Sequence, residues 1–258
     1  MKKIALVTGG SRGIGKAIAL ELGEKGIDII INYVRNKEDA EIVVDELTKM
    51  GRRACSIQAD MGSVDDVLRL GELAWKSYGR IDYLINNAGI SHTKHILDCT
   101  LEDFESLNNV NFRGTFLLSQ FIARKMVECQ IQGSIYTLTS INAILPGVGK
   151  ALYGATKGAL ETMMKGMALD LSPHSININT LAVGAIETDM TAAVIKDQDF
   201  LKRVEAGIPL SRLGKPEEVA RVVVALLTTG TYMTGSTITI DGGWLIKNGH
   251  AIPYKYNI

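Results

Sequence analysis

Cysteine is scarce in this chain. Its 258 residues include three, Cys55, Cys99 and Cys129, with no CxxC pair among them. So few, so scattered, they exclude a disulfide framework and a structural zinc site and fit a reducing compartment. Net charge is missing as well, since 28 Lys+Arg balance 28 Asp+Glu. That argues against the broad basic field of a nucleic-acid or anionic-lipid binder. No apolar run approaches the length of a membrane span. The opening MKKIALVTGG has a basic start, but IALV is too short for a secretory signal and glycines follow at once. No proline/serine-rich linker, repeat or low-complexity tract divides the sequence. The expectation is a cytoplasmic protein without nucleic-acid, membrane or metal partners.

What is present is a core. Hydrophobic residues make up 46% and charged residues 22%, enough to fill one large domain. KKIALVT reads as a short buried strand, KAIALELGEKG as a helix ended by Gly26, and IDIIINY as a second strand. KEDAEIVVDELTKMG is amphipathic and stops at Gly51. RACSIQA is a third strand, and SVDDVLRLGELAWKSYG a helix capped by Ser63. IDYLINN, a long helical region over 100–130, GSIYTLTS, the helix through Tyr153, and SININTLAV follow. After a looser stretch come PEEVARVVVALLT, with Pro216 in its first turn, and STITIDGG. Short apolar strands alternating with helices predict a single α/β domain. It is a Rossmann-type, doubly wound, seven-stranded parallel sheet with helices on both faces. The domain spans 1–243, with a lid at about 188–214 and a C-terminal extension at 244–258.

Three stretches carry chemistry. TGGSRGIG, residues 8–15, lies between the first strand and the first helix, with Ser11, Arg12 and Ile14 among Gly9, Gly13 and Gly15. Glycines there permit a tight turn and let a pyrophosphate approach a helix N-terminus. An ordinary strand–helix turn is the plainer alternative, and a glycine motif alone does not decide. A ligand in such a sheet sits at the carboxyl ends of the strands. There lie Asp60 and Met61 after the third strand, and Asn87, Ala88 and Gly89 in NNAG after the fourth. Asp60 reads equally as a turn residue, and NNAG as an Asn/Gly turn. The second strand ends in INYVRN. Tyr33 stands where NAD binders carry an acid, and Arg35 follows. With Arg12 in the glycine loop, two cations and no carboxylate favour the 2′-phosphate of NADP(H) and leave NAD(H) open. Finally, YGATK puts Tyr153 and Lys157 one turn apart on one helix face, as surface decoration or as a proton-transfer site.

TGGSRGIG, Asp60, NNAG, Asn111, Ser140 and YGATK, in this order, resemble the short-chain dehydrogenase/reductase family over residues 3–243. The resemblance implies an enzyme with Tyr153 as general acid/base. It gives Lys157 the task of lowering the tyrosine pKa and holding the nicotinamide ribose, Ser140 that of bonding the substrate oxygen, and Asn111 that of supporting a proton path. Gly154, Ala155 and Thr156 are expected to let the ribose approach the helix. One departure is LAVGAIETDM: Val183 stands where the family often has proline, while Gly184, Ile186 and Thr188 remain as cofactor contacts.

The substrate is less defined. A small sugar, polyol or keto compound is expected, by resemblance to glucose and polyol dehydrogenases. The alternative is a 3-oxoacyl group on acyl carrier protein, suggested by RLGKPEEVA. Docking that acidic protein calls for cations before the fifth and sixth strands, where this chain has Glu128 and His174. His92 and His95 in SHTKH read as loop histidines beside the site. A non-catalytic dinucleotide sensor is the reading from another class, and intact Ser140, Tyr153 and Lys157 speak against it. By resemblance, a homotetramer or homodimer is expected.

Overall fold

The computed structural model describes residues 2–247; residues 248–258, most of the expected C-terminal extension, lie outside the described residues. Seven strands form one sheet: β1 (Ile4–Val7), β2 (Asp28–Tyr33), β3 (Ala54–Gln58), β4 (Tyr83–Asn86), β5 (Ser134–Ser140), β6 (Asn177–Val183) and β7 (Thr237–Ile240). Their order is β3-β2-β1-β4-β5-β6-β7, and every pairing is parallel. This is the sheet the sequence pattern predicts. The chain reverses its winding direction between β1 and β4, which opens a crevice at their carboxyl ends.

Strand residues alternate between two cores. Ala5, Val7, Ile29 and Ile31 point to one face. There they meet Ile18 and Leu22 of α1 (Gly13–Glu24), Val43 and Leu47 of α2 (Lys37–Lys49), and Val219 and Val223 of a helix at Pro216–Thr229. Leu6, Ile30 and Leu84 point to the other, against Val67 and Leu70 of α3 (Val64–Tyr78) and further helices at Gly114–Glu128 and Ala151–Leu171. Burial on both faces is why the strands read as unbroken apolar runs. Ser63 caps α3 as expected, accepting a hydrogen bond from Asp66 N.

The helical region over 100–130 is not one regular helix. It consists of α4 (Leu101–Leu107), a π-helical turn at Asn108–Arg113, and α5 (Gly114–Glu128). The widened turn carries Asn111 inward, where it is fully buried. At its end Gly114 meets the chain after β3 so closely that a Cβ would lie 2.1 Å from Met61 O. The catalytic-motif helix is α6 (Ala151–Leu171). The expected lid contains α7 (Ala192–Lys196) and α8 (Gln198–Gly207), and α9 (Pro216–Thr229) follows it. A short α10 (Trp244–Lys247) closes the described chain.

Candidate active site

The glycine loop is held from behind by Asn32 and Asn87 and by Thr8, the motif's first residue. Asn32 in β2 is fully buried. Its Oδ1 accepts from Gly9 N at 3.2 Å, its backbone carbonyl from Gly10 N at 2.9 Å, and its Nδ2 donates to Ala59 O at 2.9 Å. Thr8 Oγ1 accepts from the backbone N–H groups of Asn87 and Ala88 at 2.9 and 3.0 Å. The sequence reading missed both residues. Asn32 and Asp28 are the two buried polar residues of this strand. Asn87 donates its side-chain amide to Thr8 O and Gly9 O, so its side chain braces the loop.

Whether a dinucleotide diphosphate fits can be judged from the loop itself. Gly9 and Gly13 have φ of +61° and +53°, the left-handed region that favours glycine. A Cβ on Gly15 would stand 2.2 Å from Gly9 O, and one on Gly13 3.4 Å from Thr188 Cγ2. The backbone therefore comes to the surface of a narrow cradle. The first turn of α1 has no side-chain cap and no acidic residue, whereas α2, α3 and α4 are capped by Asn36, Ser63 and Thr100 and carry acids there. An uncapped positive helix end over a glycine cradle suits a diphosphate. Ser11 lies at this mouth, half-buried, while Ile14 turns into the core.

The residues beyond it are placed unevenly. Tyr33 is buried at the end of β2 and Arg35 is exposed beyond it. Arg12 Nη1 pairs with Asp189 Oδ2 of the lid at 2.7 Å, both side chains well exposed. Asp60 Oδ1 accepts from Gly62 N, which is the turn role. Met61 is buried in the core, so only its backbone is available to a ligand.

The residues expected to transfer a proton converge beside this cradle. Ser140 ends β5, and its Oγ accepts from Asn142 N and Nδ2 at 3.2 Å. Lys157 is buried and donates to Leu138 O at 3.0 Å. A Cβ on Gly89 would fall 3.2 Å from Asn111 Oδ1 and 3.4 Å from Lys157 Nζ, which places NNAG, Asn111 and Lys157 together. Asn111 accepts from Ile90 N at 2.8 Å and donates to Ile90 O and Thr156 Oγ1. Two expectations need correction. Gly154 faces away from the site: a Cβ there would meet Asn142 O at 2.5 Å, and Thr156 is turned to Asn111. Within YGATK, Tyr153 and Lys157 share a face, while position 154 lies about 100° further round the helix. Nor does the Tyr153 phenol sit below its ordinary pKa. Burial raises it, and the hydrogen bond from Ser140 only partly offsets that. Burial also lowers Lys157 to about 8.

The segment expected to be a lid borders the other side. A cleft of about 460 Å³ is lined by Arg12, Gly13, Thr188, Asp189, Ile195 and their neighbours. Val183 continues β6 beside Ile240, so the absent proline leaves a regular strand end. Gly184 is pressed on Asp241, and Ile186 bridges to Gly214. The stretch after NNAG is zipped to the loop before α6 by Lys94 N donating to Gly149 O. His95 Nδ1 accepts from Leu97 N, a loop-capping role. Exposed Ile90, Ile144, Leu145 and Val148 lie along these two stretches. Among the described residues no His/Cys/Asp/Glu group could hold a metal, and no helix is long and apolar enough to cross a membrane.

Comparison with known proteins agrees with this arrangement. The model of a family described as enoyl-(acyl carrier protein) reductase matches residues 9–245. Tetrahydroxynaphthalene reductase of Pyricularia oryzae is 38% identical, over 93% of this chain and 89% of that protein. The structure of acetoin dehydrogenase from Enterobacter cloacae superposes with a TM-score of 0.90 at 35% identity, over 98% of this chain and 99% of that one. A short-chain dehydrogenase from Burkholderia cenocepacia, in complex with NADP, gives a TM-score of 0.88 at 37% identity, covering 94% and 98%.

Proposed function

The chain belongs to the short-chain dehydrogenase/reductase family of oxidoreductases, and we propose that it reduces a ketone to a secondary alcohol with NADP(H). The observation that carries this reading is the convergence of Ser140, Tyr153, Lys157 and Asn111 beside an uncapped helix end over a glycine cradle. The bound nicotinamide would supply the hydride. Gly9, Ser11, Gly13 and the first turn of α1 would hold its diphosphate. Ala88, Gly89, Gly184, Ile186 and Thr188 would border the nicotinamide half. Arg12 and Arg35 would take the 2′-phosphate, with Arg12 first released from Asp189. The NADP in the Burkholderia structure and the missing acid at the end of β2 support this choice over NAD(H).

Tyr153 would donate the proton to the carbonyl oxygen, which the Ser140 hydroxyl holds. Burial keeps the phenol protonated near neutral pH, and a protonated phenol is the form that reduction consumes. Lys157, charged at pH 7, would stabilise the phenolate left behind and bind the ribose. Asn111 would keep open the route by which Tyr153 regains its proton.

The exposed apolar side chains of Ile90, Ile144, Leu145 and Val148 favour a keto substrate with an apolar body over a polyol, which needs many polar partners. The name of the Pyricularia relative points the same way. An acyl-carrier substrate is less well supported, because Glu128 is paired with Lys125 where a docking cation is wanted. Exposed Leu101, Phe104 and Phe116 on α4 and α5 suit assembly with a second copy. The test is a parallel assay with NADPH and NADH against diacetyl, 1-tetralone and an acetoacetyl thioester, following nicotinamide absorbance. NADPH-dependent reduction of the first two is expected. Cofactor binding without turnover on any substrate would sink the reading, and an NADH preference would overturn the assignment of Arg12 and Arg35.

A further inference from the structure

Lys150, at the N-terminal edge of α6, has no place in the chemistry above, yet it stands as close to Tyr153 as Lys157 does. Its Nζ lies 5.7 Å from the centre of the Tyr153 ring, and Lys157 Nζ lies 5.9 Å from it. The two lysines stand three residues before and four after the tyrosine, so they bracket its ring along the helix axis. Lys150 is also anchored. Its Nζ donates to Ser91 Oγ at 3.0 Å and to His92 O at 3.3 Å, while Gly149 O accepts from Lys94 N. One side chain thus joins the stretch after NNAG to the start of the catalytic helix and sets a cation over the phenol ring.

We propose that Lys150 is a positioning residue for the reaction: anchored by Ser91 and His92, it fixes the Tyr153 ring and, together with Lys157, favours its phenolate. A half-buried ammonium near an aromatic ring is attracted to it, more strongly when desolvated, and the attraction grows when the ring bears charge. Burial of Lys150, which lowers its pKa, reduces screening by water. The inference rests on Tyr153 being the acid/base.

Several charged or titratable groups surround this pair. On α6 they are Lys157 and, further along, Glu161, which is bonded to Thr139. On the facing stretch they are His92, whose ring nitrogens are buried without a hydrogen bond, and Lys94. Behind these stands Asp103 of α4, held well below the usual carboxylate range chiefly by Lys94. The facing end of β5 contributes the hydroxyl of Ser140 and, just beyond it, the amide of Asn142.

The test uses the full chain and NADP⁺-dependent oxidation of 2,3-butanediol or 1-tetralol, whichever is turned over. In that direction the phenolate is the base, so the rate rises with pH as Tyr153 ionises. Lys150→Met is expected to lower kcat about tenfold with the KM for NADP⁺ unchanged. It should also move the rising limb of the pH profile up by about one unit. Lys150→Arg should restore most of both, and Ser91→Ala, which removes only an anchor, should shift the limb less but in the same direction. A Lys150→Met enzyme with the wild-type limb would overturn the proposal, whatever its rate. So would an equal shift from His92→Asn, which would assign the effect to the histidine. If Lys150→Met does not fold, Ser91→Ala and Lys150→Arg decide by the same limb. Tyr153→Phe with undiminished rate would instead remove the acid/base reading itself, so the two failures are distinguishable.

Discussion

The loop from Thr8 to Gly15 and the segment from Thr188 to Gly214 face each other across one cleft, and they are held by opposite means. The loop is fixed from behind. Asn32 and Asn87 satisfy its backbone groups, Thr8 Oγ1 ties it to the backbone N–H groups of Asn87 and Ala88, and Gly15 leaves no room for a methyl group. The lid is fixed at its edges, by the Ile186–Gly214 bridge, the Arg12–Asp189 pair and the Arg212–Glu218 pair. Helix α8 has no fully buried side chain. The difference matches what each side has to do. A diphosphate is the same in every turnover and suits a rigid cradle, whereas a segment acting as the proposed lid would open and close and would draw on the less stable part of the fold.

The largest effect should come from violating the rigid side. Gly15→Ala drives a methyl group into Gly9 O and is expected to cost about 3 kcal/mol, together with loss of NADPH binding. Thermal unfolding and a fluorescence titration with NADPH check it. A variant that binds normally would show that the cradle is looser than described.

The next effect depends on pH. The pKa of Lys157 falls from 10.5 to about 8 in the folded chain because burial disfavours its charged form. Below pH 8 the lysine is charged in both states and carries that penalty. Between about pH 8 and 10.5 the unfolded chain binds more protons, so folding stability rises with pH. Relative to Lys157→Met, the wild type should therefore gain of order 3 kcal/mol across this window, read from denaturant midpoints. A constant difference would mean that the ammonium is solvated.

The glycine turn, the strand alternation and the helix periodicity were readable because each is a local pattern dictated by backbone geometry. Other features were not, because they depend on what meets across the fold. Asn32 looks like any strand residue until β3 and the glycine loop arrive beside it. The π-helical turn that buries Asn111 leaves no mark in a helical pattern. Gly154 lies about 100° round the helix from Tyr153, and the same rotation puts Lys150 on the tyrosine's face. The segment over 188–214 reads as a loose stretch because its helices are short and α8 has no fully buried side chain.

The smallest effect belongs to the lid. The Arg12–Asp189 pair is exposed on both sides, so breaking it should change stability by less than about 0.5 kcal/mol. Asp189→Asn should nevertheless lower the KM for NADPH about threefold by freeing Arg12, a change within the reach of such a pair. An unchanged KM, measured beside an unchanged Tm, would detach Arg12 from cofactor binding.

The central claim is that Tyr153 moves the proton. The direct measurement compares wild type and Tyr153→Phe for NADPH-dependent ketone reduction, with NADPH affinity determined on the same samples. Loss of about a thousandfold in kcat with affinity retained is the result predicted here. A phenylalanine enzyme that reduces the ketone at the wild-type rate would contradict it.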